Sequence, residues 1–143
     1  MKIGLAADHA GYTYKEAIKE YLLAKGVEII DFGTHSTDST DYADYMHPLA
    51  SSISKQELKL GIAFCGSGEG MCMTANKHAK VRAALVWNKE VAEVTRQHND
   101  ANILCLPARF IELEEAKEMV DIFFATTFEG GRHQRRIDKI ELA

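Results

Sequence analysis

Two patterns of apolar residues alternate along the whole chain: short segments that are mainly apolar, and longer segments in which apolar residues recur at intervals. Five mainly apolar segments of five or six residues predict buried β-strands, and they cover 3–7, 27–32, 60–64, 81–86 and 101–106. Between these runs, apolar residues recur every three or four positions, which predicts amphipathic helices. Strands that alternate with helices are typical of an α/β protein. We therefore expect a three-layer, Rossmann-like sandwich whose five-stranded parallel sheet is covered by helices on both faces.

Polar and turn-forming residues divide these elements. Gly26 is a stop signal for the first helix, and the Ser- and Thr-rich segment 33–41 predicts a loop. The next helix is expected over 42–57, with Pro48 in its first turns. A third helix is expected to start inside the glycine-rich loop after residue 65 and to run to residue 78. Asn88 suits the N-cap of a helix that ends near His98, and a last helical pattern covers 113–124.

Composition narrows the class of protein. The chain has 143 residues, which predicts one domain over 1–143. A net charge of −4 gives no basic field for nucleic acid, and no apolar run approaches the ~18–20 residues that span a membrane. The three cysteines are odd in number and lack a CxxC spacing. This usage argues against a disulfide framework or a zinc site and predicts a reducing, cytoplasmic location.

The segment 60–71, LGIAFCGSGEGM, carries the first candidate chemistry. Cys65 ends an apolar run, and glycines follow at 66, 68 and 70. In an open α/β sheet, ligands bind at the carboxyl ends of strands, and glycine-rich loops can turn backbone N–H groups toward an anion. Cys65 is therefore a candidate nucleophile or base. The alternative is a buried cysteine that packs as a small apolar side chain.

Other polar residues follow strands of the same predicted sheet. Asp8 and His9 follow the first strand, Asn88 the fourth, and Arg109 the fifth. Because the carboxyl ends of parallel strands meet at one edge, we expect these side chains and Cys65 on one rim.

Two further groups lie outside this rim pattern. His98 is expected at the end of its helix, where the dipole stabilises the imidazolium of a proton donor, although the residue also suits a simple cap. Arg132 and Arg136 follow Gly130-Gly131 and share a face if the segment is helical. They suit a phosphate, or they belong to a solvated, charged tail.

With these residues in view, the chain resembles the ribose/galactose phosphate isomerase family, the group of ribose-5-phosphate isomerase B. The resemblance covers nearly the whole chain and rests on these motifs: Asp8-His9-Ala10-Gly11, Asp41-Tyr42, Cys65-Gly66-Ser67-Gly68, Ala75-Asn76-Lys77, Arg96-Gln97-His98-Asn99-Asp100-Ala101-Asn102 and Gly130-Gly131-Arg132-His133-Gln134.

The resemblance implies a role for each matching residue. Cys65 corresponds to the base that moves a proton between C2 and C1 of the open-chain sugar, His98 to the acid that helps open the furanose ring, and Asp8 to a carrier of the O1/O2 proton. The matching substrate ligands are His9, Tyr42, Gly66, Ser67, Gly68, Glu69, Gly70, Asn99, Arg109, Arg132 and Arg136. The first five residues of the loop after Cys65 form the anion hole for the enediolate, and the three arginines bind the phosphate.

The same resemblance implies an isomerase of the pentose phosphate pathway that needs no metal and no cofactor. It implies a homodimer or homotetramer with the site between subunits, and a helical tail from about residue 130 that packs on the partner. Two alternatives stay open: a hexose-6-phosphate isomerase, for allose or galactose phosphates, and a non-enzymatic receiver-like binding module.

Two expectations concern the chemistry of the loop. We expect the pKa of Cys65 to be lowered, because the following helix begins beside it. Glu69 departs from the family pattern, and we expect its carboxylate to face away from the enediolate.

Overall fold

A computed structural model describes residues 1–142 of the protein. The strands are β1 (Lys2–Ala7), β2 (Glu28–Asp31), β3 (Leu60–Cys65), β4 (Ala83–Leu85) and β5 (Ile103–Pro107). The helices are α1 (Tyr12–Ala24), α2 (Tyr42–Ser54), α3 (Glu69–Ala75), α4 (Lys89–Gln97), α5 (Leu113–Ala125) and α6 (Arg132–Asp138).

All strand pairs of the sheet are parallel, and the strand order is β2-β1-β3-β5-β4. Apolar residues of α1, α4 and α5 pack on one face of the sheet, and those of α2 and α3 pack on the other. The predicted fold class is therefore confirmed. The near-continuous apolar strands reflect burial on both faces, since β1, β3 and β5 lie between the two helical layers.

The order of the strands reverses between β1 and β3. From β1 the chain moves outward to β2, and then returns across β1 to form β3 on its other side. Such a switch point leaves a crevice at the carboxyl ends of the two strands, because the helices that follow them cover opposite faces. The topology therefore places the ends of β1 and β3 where a ligand can enter.

Several element boundaries differ from the sequence-based expectation. The second helix ends at Ser54, three residues early, because the backbone of Gln56 turns left-handed with φ 63°. α3 ends at Ala75 instead of near residue 78. β4 has only three residues, since it is an edge strand that pairs with β5 alone. The predicted cap of α4 is confirmed: the Asn88 side chain accepts a hydrogen bond from the Val91 N–H at 2.8 Å.

Candidate active site

The carboxyl ends of β1, β3 and β5 surround an open cavity of about 560 Å³, which we call the rim cavity. It is lined by Asp8, His9, Ala10, Tyr42, Cys65, Gly66, Ser67, Glu69, Gly70, Met73, Arg109 and Phe110. Most residues that the sequence placed on the rim therefore do meet there. Asn88 does not line this cavity, because it follows the edge strand β4 and caps α4.

Asp8 and His9 are held by backbone groups. The buried Asp8 carboxylate accepts hydrogen bonds from the N–H groups of Ala10 (2.9 Å) and Gly11 (3.1 Å), which fixes it at the end of β1. Nδ1 of His9 accepts a hydrogen bond from the Thr40 N–H at 3.2 Å. A neutral imidazole that accepts at Nδ1 carries its proton on Nε2. His9 can therefore donate that proton to an oxygen of a ligand.

Cys65 is the last residue of β3 and is 4% exposed. Burial raises the pKa of its thiol, and the negative charge of Asp8 raises it further. Backbone N–H groups of Met71, Gly68 and Gly70 donate to the sulfur and lower the pKa, but the net direction is upward. The expectation of a lowered pKa is therefore wrong, because desolvation of the thiolate outweighs the donors at the start of α3.

Two glycines of the loop after Cys65 have different tasks. Gly68 is the N-cap residue of α3 with φ 75°, and a Cβ there would lie 2.6 Å from the Leu85 side chain. Gly68 is buried and does not line the rim cavity, so its task is to support the loop. Gly70 does line the cavity, and a Cβ there would lie 2.6 Å from the Tyr42 ring. Side chains at either position would displace the loop that supplies the N–H donors.

Glu69 is exposed at the first turn of α3, and its N–H donates to the Ser67 Oγ at 3.3 Å. The pKa of Cys72 is lowered, chiefly by its hydrogen bond with Cys105, and the charge of Glu69 opposes that shift; the charge that acts on Cys65 is that of Asp8. Glu69 also lines the rim cavity, so the expectation that its carboxylate faces away from the enediolate stays a prediction.

Arg109 is the only cation among the residues that line the rim cavity. Its N–H donates to the Gly66 carbonyl at 3.0 Å, and its Nη1 passes 3.2 Å from where a Cβ on Gly66 would lie. Asp8 and Glu69 line the same cavity with negative charge. A phosphate dianion therefore meets one arginine and two carboxylates here, which is a poor balance for tight binding.

The remaining expected site residues lie elsewhere in the chain, and none of them lines the rim cavity. Arg132 and Arg136 are both exposed on α6, whose buried residues are His133 and Ile137. His98 is the C-cap residue of α4. Asn99 lines a separate cavity of about 260 Å³ beside β4. Within the chain, these candidate residues are therefore separate from those that line the rim cavity.

Comparison with known proteins agrees with this fold. A model of the Ribose/Galactose Isomerase family matches residues 3–140. The chain belongs to the ribose/galactose isomerase family. It is 46% identical over 140 residues to a protein of Mycoplasma genitalium named probable ribose-5-phosphate isomerase B, covering 96% of this chain and 92% of the relative. It is 41% identical over 139 residues to ribose-5-phosphate isomerase B of Escherichia coli, covering 97% and 93%.

Solved structures of family members share the whole fold. The ribose 5-phosphate isomerase of Thermotoga maritima superimposes with a TM-score of 0.95 at 49% identity, covering 97% of this chain and 96% of that one. Ribose-5-phosphate isomerase B of Mycoplasma genitalium with bound ribulose-5-phosphate gives a TM-score of 0.94 at 46% identity, covering 97% and 93%. The expected family resemblance is thereby confirmed.

The structure also reveals residues that the sequence patterns missed. Met73 and Phe110 line the rim cavity with exposed apolar side chains, and Phe110 is 76% exposed. Phe110 directly follows Arg109, so its place after a strand was a usable signal. Met73 faces the cavity from α3, and no sequence signal marked it.

Among residues 1–142, one group offers three side chains of the types that bind metals: His98, Glu129 and His133. Their ligand atoms lie within 4.8 Å of one another. However, the two imidazole rings are stacked, with centroids 4.3 Å apart and planes 12° apart. A metal binds a ring nitrogen in the plane of its ring, and no single point lies in two parallel planes. The group is therefore unsuited to hold one ion.

A cavity of about 700 Å³, larger than the rim cavity, lies at the opposite end of the sheet. Arg82 and Arg96 line it, but Asp100 pairs with both, at 3.3 Å and 2.9 Å. It contains no cysteine or histidine, so the rim cavity is the better candidate for the chemistry. No helix among residues 1–142 is both long and apolar enough to cross a membrane.

Proposed function

We propose that the protein is an aldose–ketose isomerase that interconverts D-ribose 5-phosphate and D-ribulose 5-phosphate through a cis-enediolate. The observation that carries this proposal is Cys65, a thiol at the end of β3 that receives loop N–H donors and lies close enough to Asp8 for that charge to act on its pKa. The names of the relatives and the ribulose-5-phosphate in the Mycoplasma genitalium structure support the substrate class.

We infer a role for each part of the rim. The Cys65 thiolate removes the proton from C2 of the open-chain aldose, and the enediolate takes up the negative charge. N–H groups of the loop 66–70 stabilise that charge, an effect worth ~3–4 kcal/mol per donor in comparable sites. Asp8 moves the proton between O1 and O2, and the thiol returns a proton to C1. Nε2 of His9 donates to a sugar oxygen.

We further propose that the phosphate and the ring oxygen are bound by a second subunit. The rim cavity offers Arg109 against the carboxylates of Asp8 and Glu69, so more positive charge is needed for a dianion. Arg132 and Arg136 carry that charge on the exposed face of α6. A partner that brings α6, His98 and Asn99 to the rim completes the site, so we propose a cytoplasmic homodimer or homotetramer of the pentose phosphate pathway.

The test is an assay of the purified protein with ribose 5-phosphate, allose 6-phosphate and galactose 6-phosphate in parallel, before and after treatment with EDTA. We expect ribose 5-phosphate to have the highest kcat/KM and EDTA to leave it unchanged. Cys65→Ala is expected to lose at least the ~10²–10⁴-fold that a positioned base contributes. Preference for a hexose phosphate would overturn the substrate assignment, and recovery of lost activity by a divalent ion would overturn the metal-free mechanism.

A further inference from the structure

Two residues with no assigned role, Glu129 and His133, surround His98. His133 lies on α6 and is 5% exposed, and its ring stacks on the His98 ring with a centroid distance of 4.3 Å. Oε1 of Glu129 is 3.4 Å from Nε2 of His133 and 3.8 Å from Nε2 of His98. Within residues 1–142, Nε2 of His133 is buried without a hydrogen-bond partner. One carboxylate oxygen therefore faces the nitrogens of two stacked rings.

The backbone holds this cluster in place from both sides. The Glu129 N–H donates to the Gln97 carbonyl at 3.0 Å, which joins the segment before α6 to the last turn of α4. Glu129 and His133 are four residues apart, so the short segment 129–133 positions both neighbours of His98. The stack is thus built by α4 and α6 together.

The surroundings of His133 favour the neutral form of its ring. Burial lowers the pKa of His133, and the neighbouring His98 and Arg132 lower it further, more than Glu129 raises it. A neutral ring can stack on an imidazolium without charge repulsion. The Glu129 carboxylate can then accept a hydrogen bond from one nitrogen of His98 and leave the other to donate to the sugar.

We propose that Glu129 and His133 are positioning residues for His98: the His133 ring sets the plane of the His98 ring, and the Glu129 carboxylate sets its direction. This inference rests on the proposed function, in which His98 is the acid of ring opening. In that step the C1–O4 bond breaks, His98 gives a proton to O4, and the C1 hydroxyl gives its proton to Asp8. At 3.4 and 3.8 Å, Oε1 of Glu129 lies close to both rings, at separations longer than an ordinary N–H···O hydrogen bond.

Open-chain substrate separates this role from a general structural one. The C5 oxygen of ribulose 5-phosphate is esterified, so this ketose cannot form a furanose ring and needs no ring opening. In Glu129→Gln, we expect kcat for ribose 5-phosphate to fall roughly tenfold with KM within about twofold, a part of the ~10²–10⁴-fold of a positioned acid. Solvent deuterium uptake at C1 of ribulose 5-phosphate is expected to match the unchanged protein. Glu118→Gln, an equally exposed carboxylate on α5, is the control.

A second pair of variants tests the stack. His133→Phe keeps a flat ring, and its kcat is expected to stay within about threefold of the unchanged protein. His133→Leu has similar bulk without the ring, and its kcat is expected to fall as far as that of Glu129→Gln. Equal kcat values for His133→Phe and His133→Leu would overturn the proposed role of His133. Equal slowing of isomerisation and deuterium uptake in Glu129→Gln, or no slowing of either, would overturn the role of Glu129. Absence of both reactions in the unchanged protein would instead contradict the proposed function.

Discussion

At the scale of single residues, the electrostatics of Cys65 depends on which carboxylate lies near it. Asp8 raises the pKa of the thiol, whereas the charge of Glu69 acts on Cys72. A raised pKa means that the thiolate fraction increases as the pH rises from neutral to alkaline values, and under the proposed mechanism kcat/KM is expected to rise with it. The same charge that opposes ionisation makes the thiolate a stronger base once it forms.

These two carboxylates give a matched pair of variants. In Asp8→Asn the pKa of Cys65 is expected to fall, because a negative charge beside the thiolate is removed, and the alkaline limb of alkylation moves to lower pH. In Glu69→Gln the pKa is expected to stay unchanged and kcat to stay within about tenfold, or ~1.4 kcal/mol. The measurement is the rate of iodoacetamide reaction at Cys65 against pH, with peptide mass analysis to separate Cys72. A shift in Glu69→Gln alone would exchange the two assignments.

At the scale of elements, a buried cation joins α1 to the end of β2. The Lys15 side chain is fully buried, and its Nζ lies 2.8 and 2.7 Å from the two Asp31 oxygens. Asp31 also accepts the Gly33 N–H at 2.9 Å. Burial raises the pKa of Asp31, but these hydrogen bonds outweigh it, so the pKa lies below its usual 3.8. The resulting stabilisation is present above that value and is lost as the pH falls through the lower, folded one.

Removal of the Lys15 cation tests how much the Lys15–Asp31 pair contributes to the free energy of unfolding. Lys15→Met leaves a largely buried carboxylate without its main partner, so we expect the free energy of unfolding to fall by ~3 kcal/mol or more. Lys25→Met removes an exposed pair with Asp121 and is expected to cost less than ~1 kcal/mol. Urea unfolding at pH 7 measures both. Similar losses in the two variants would show that burial of Lys15 is not what makes the pair important.

At the scale of the whole molecule, the candidate site divides into two halves with unlike charge. The rim cavity holds Cys65, the proposed base, and two carboxylates with one arginine, whereas His98, the proposed acid, and the further arginines of α6 lie outside it. This division is the reason for the proposed shared site. In the proposed dimer, each subunit would contribute one half to each of two sites across a two-fold axis.

Mixed oligomers test the division directly. Cys65→Ala disables the rim half and Arg136→Ala the other, so a hybrid of the two carries one intact site and one doubly altered site. Random subunit exchange is expected to restore about a quarter of the unaltered activity, from nearly inactive starting proteins. Mixing Cys65→Ala with Asp8→Asn is the control, since both changes lie in the same half and no intact site can form. Recovery in the control, or none in the first mixture, would refute the shared site.

The local periodicity of apolar residues was sufficient to predict most of the fold. Apolar runs and helical spacing predicted the five strands and the alternation of elements, because burial on both faces of a parallel sheet leaves a near-continuous apolar strand. In open α/β sheets, ligands bind at the carboxyl ends of strands. This rule predicted that Asp8, Cys65 and Arg109 lie on one rim, and the structure places all three in the lining of one cavity. The capping role of Asn88 also followed from its residue type, since an N-cap is satisfied within its own turn.

Properties that depend on distant parts of the chain required the tertiary structure. The pKa direction of Cys65 follows from how deeply the strand end is buried and from Asp8 across the sheet, and neither is visible in the residues that flank the thiol. The separation of Arg132 and Arg136 from the rim depends on where α6 packs. His98, Glu129 and His133 meet because α4 and the segment before α6 are joined by one backbone hydrogen bond. Sequence patterns report short-range periodicity, whereas desolvation, charge balance and stacking depend on packing between elements far apart in the chain.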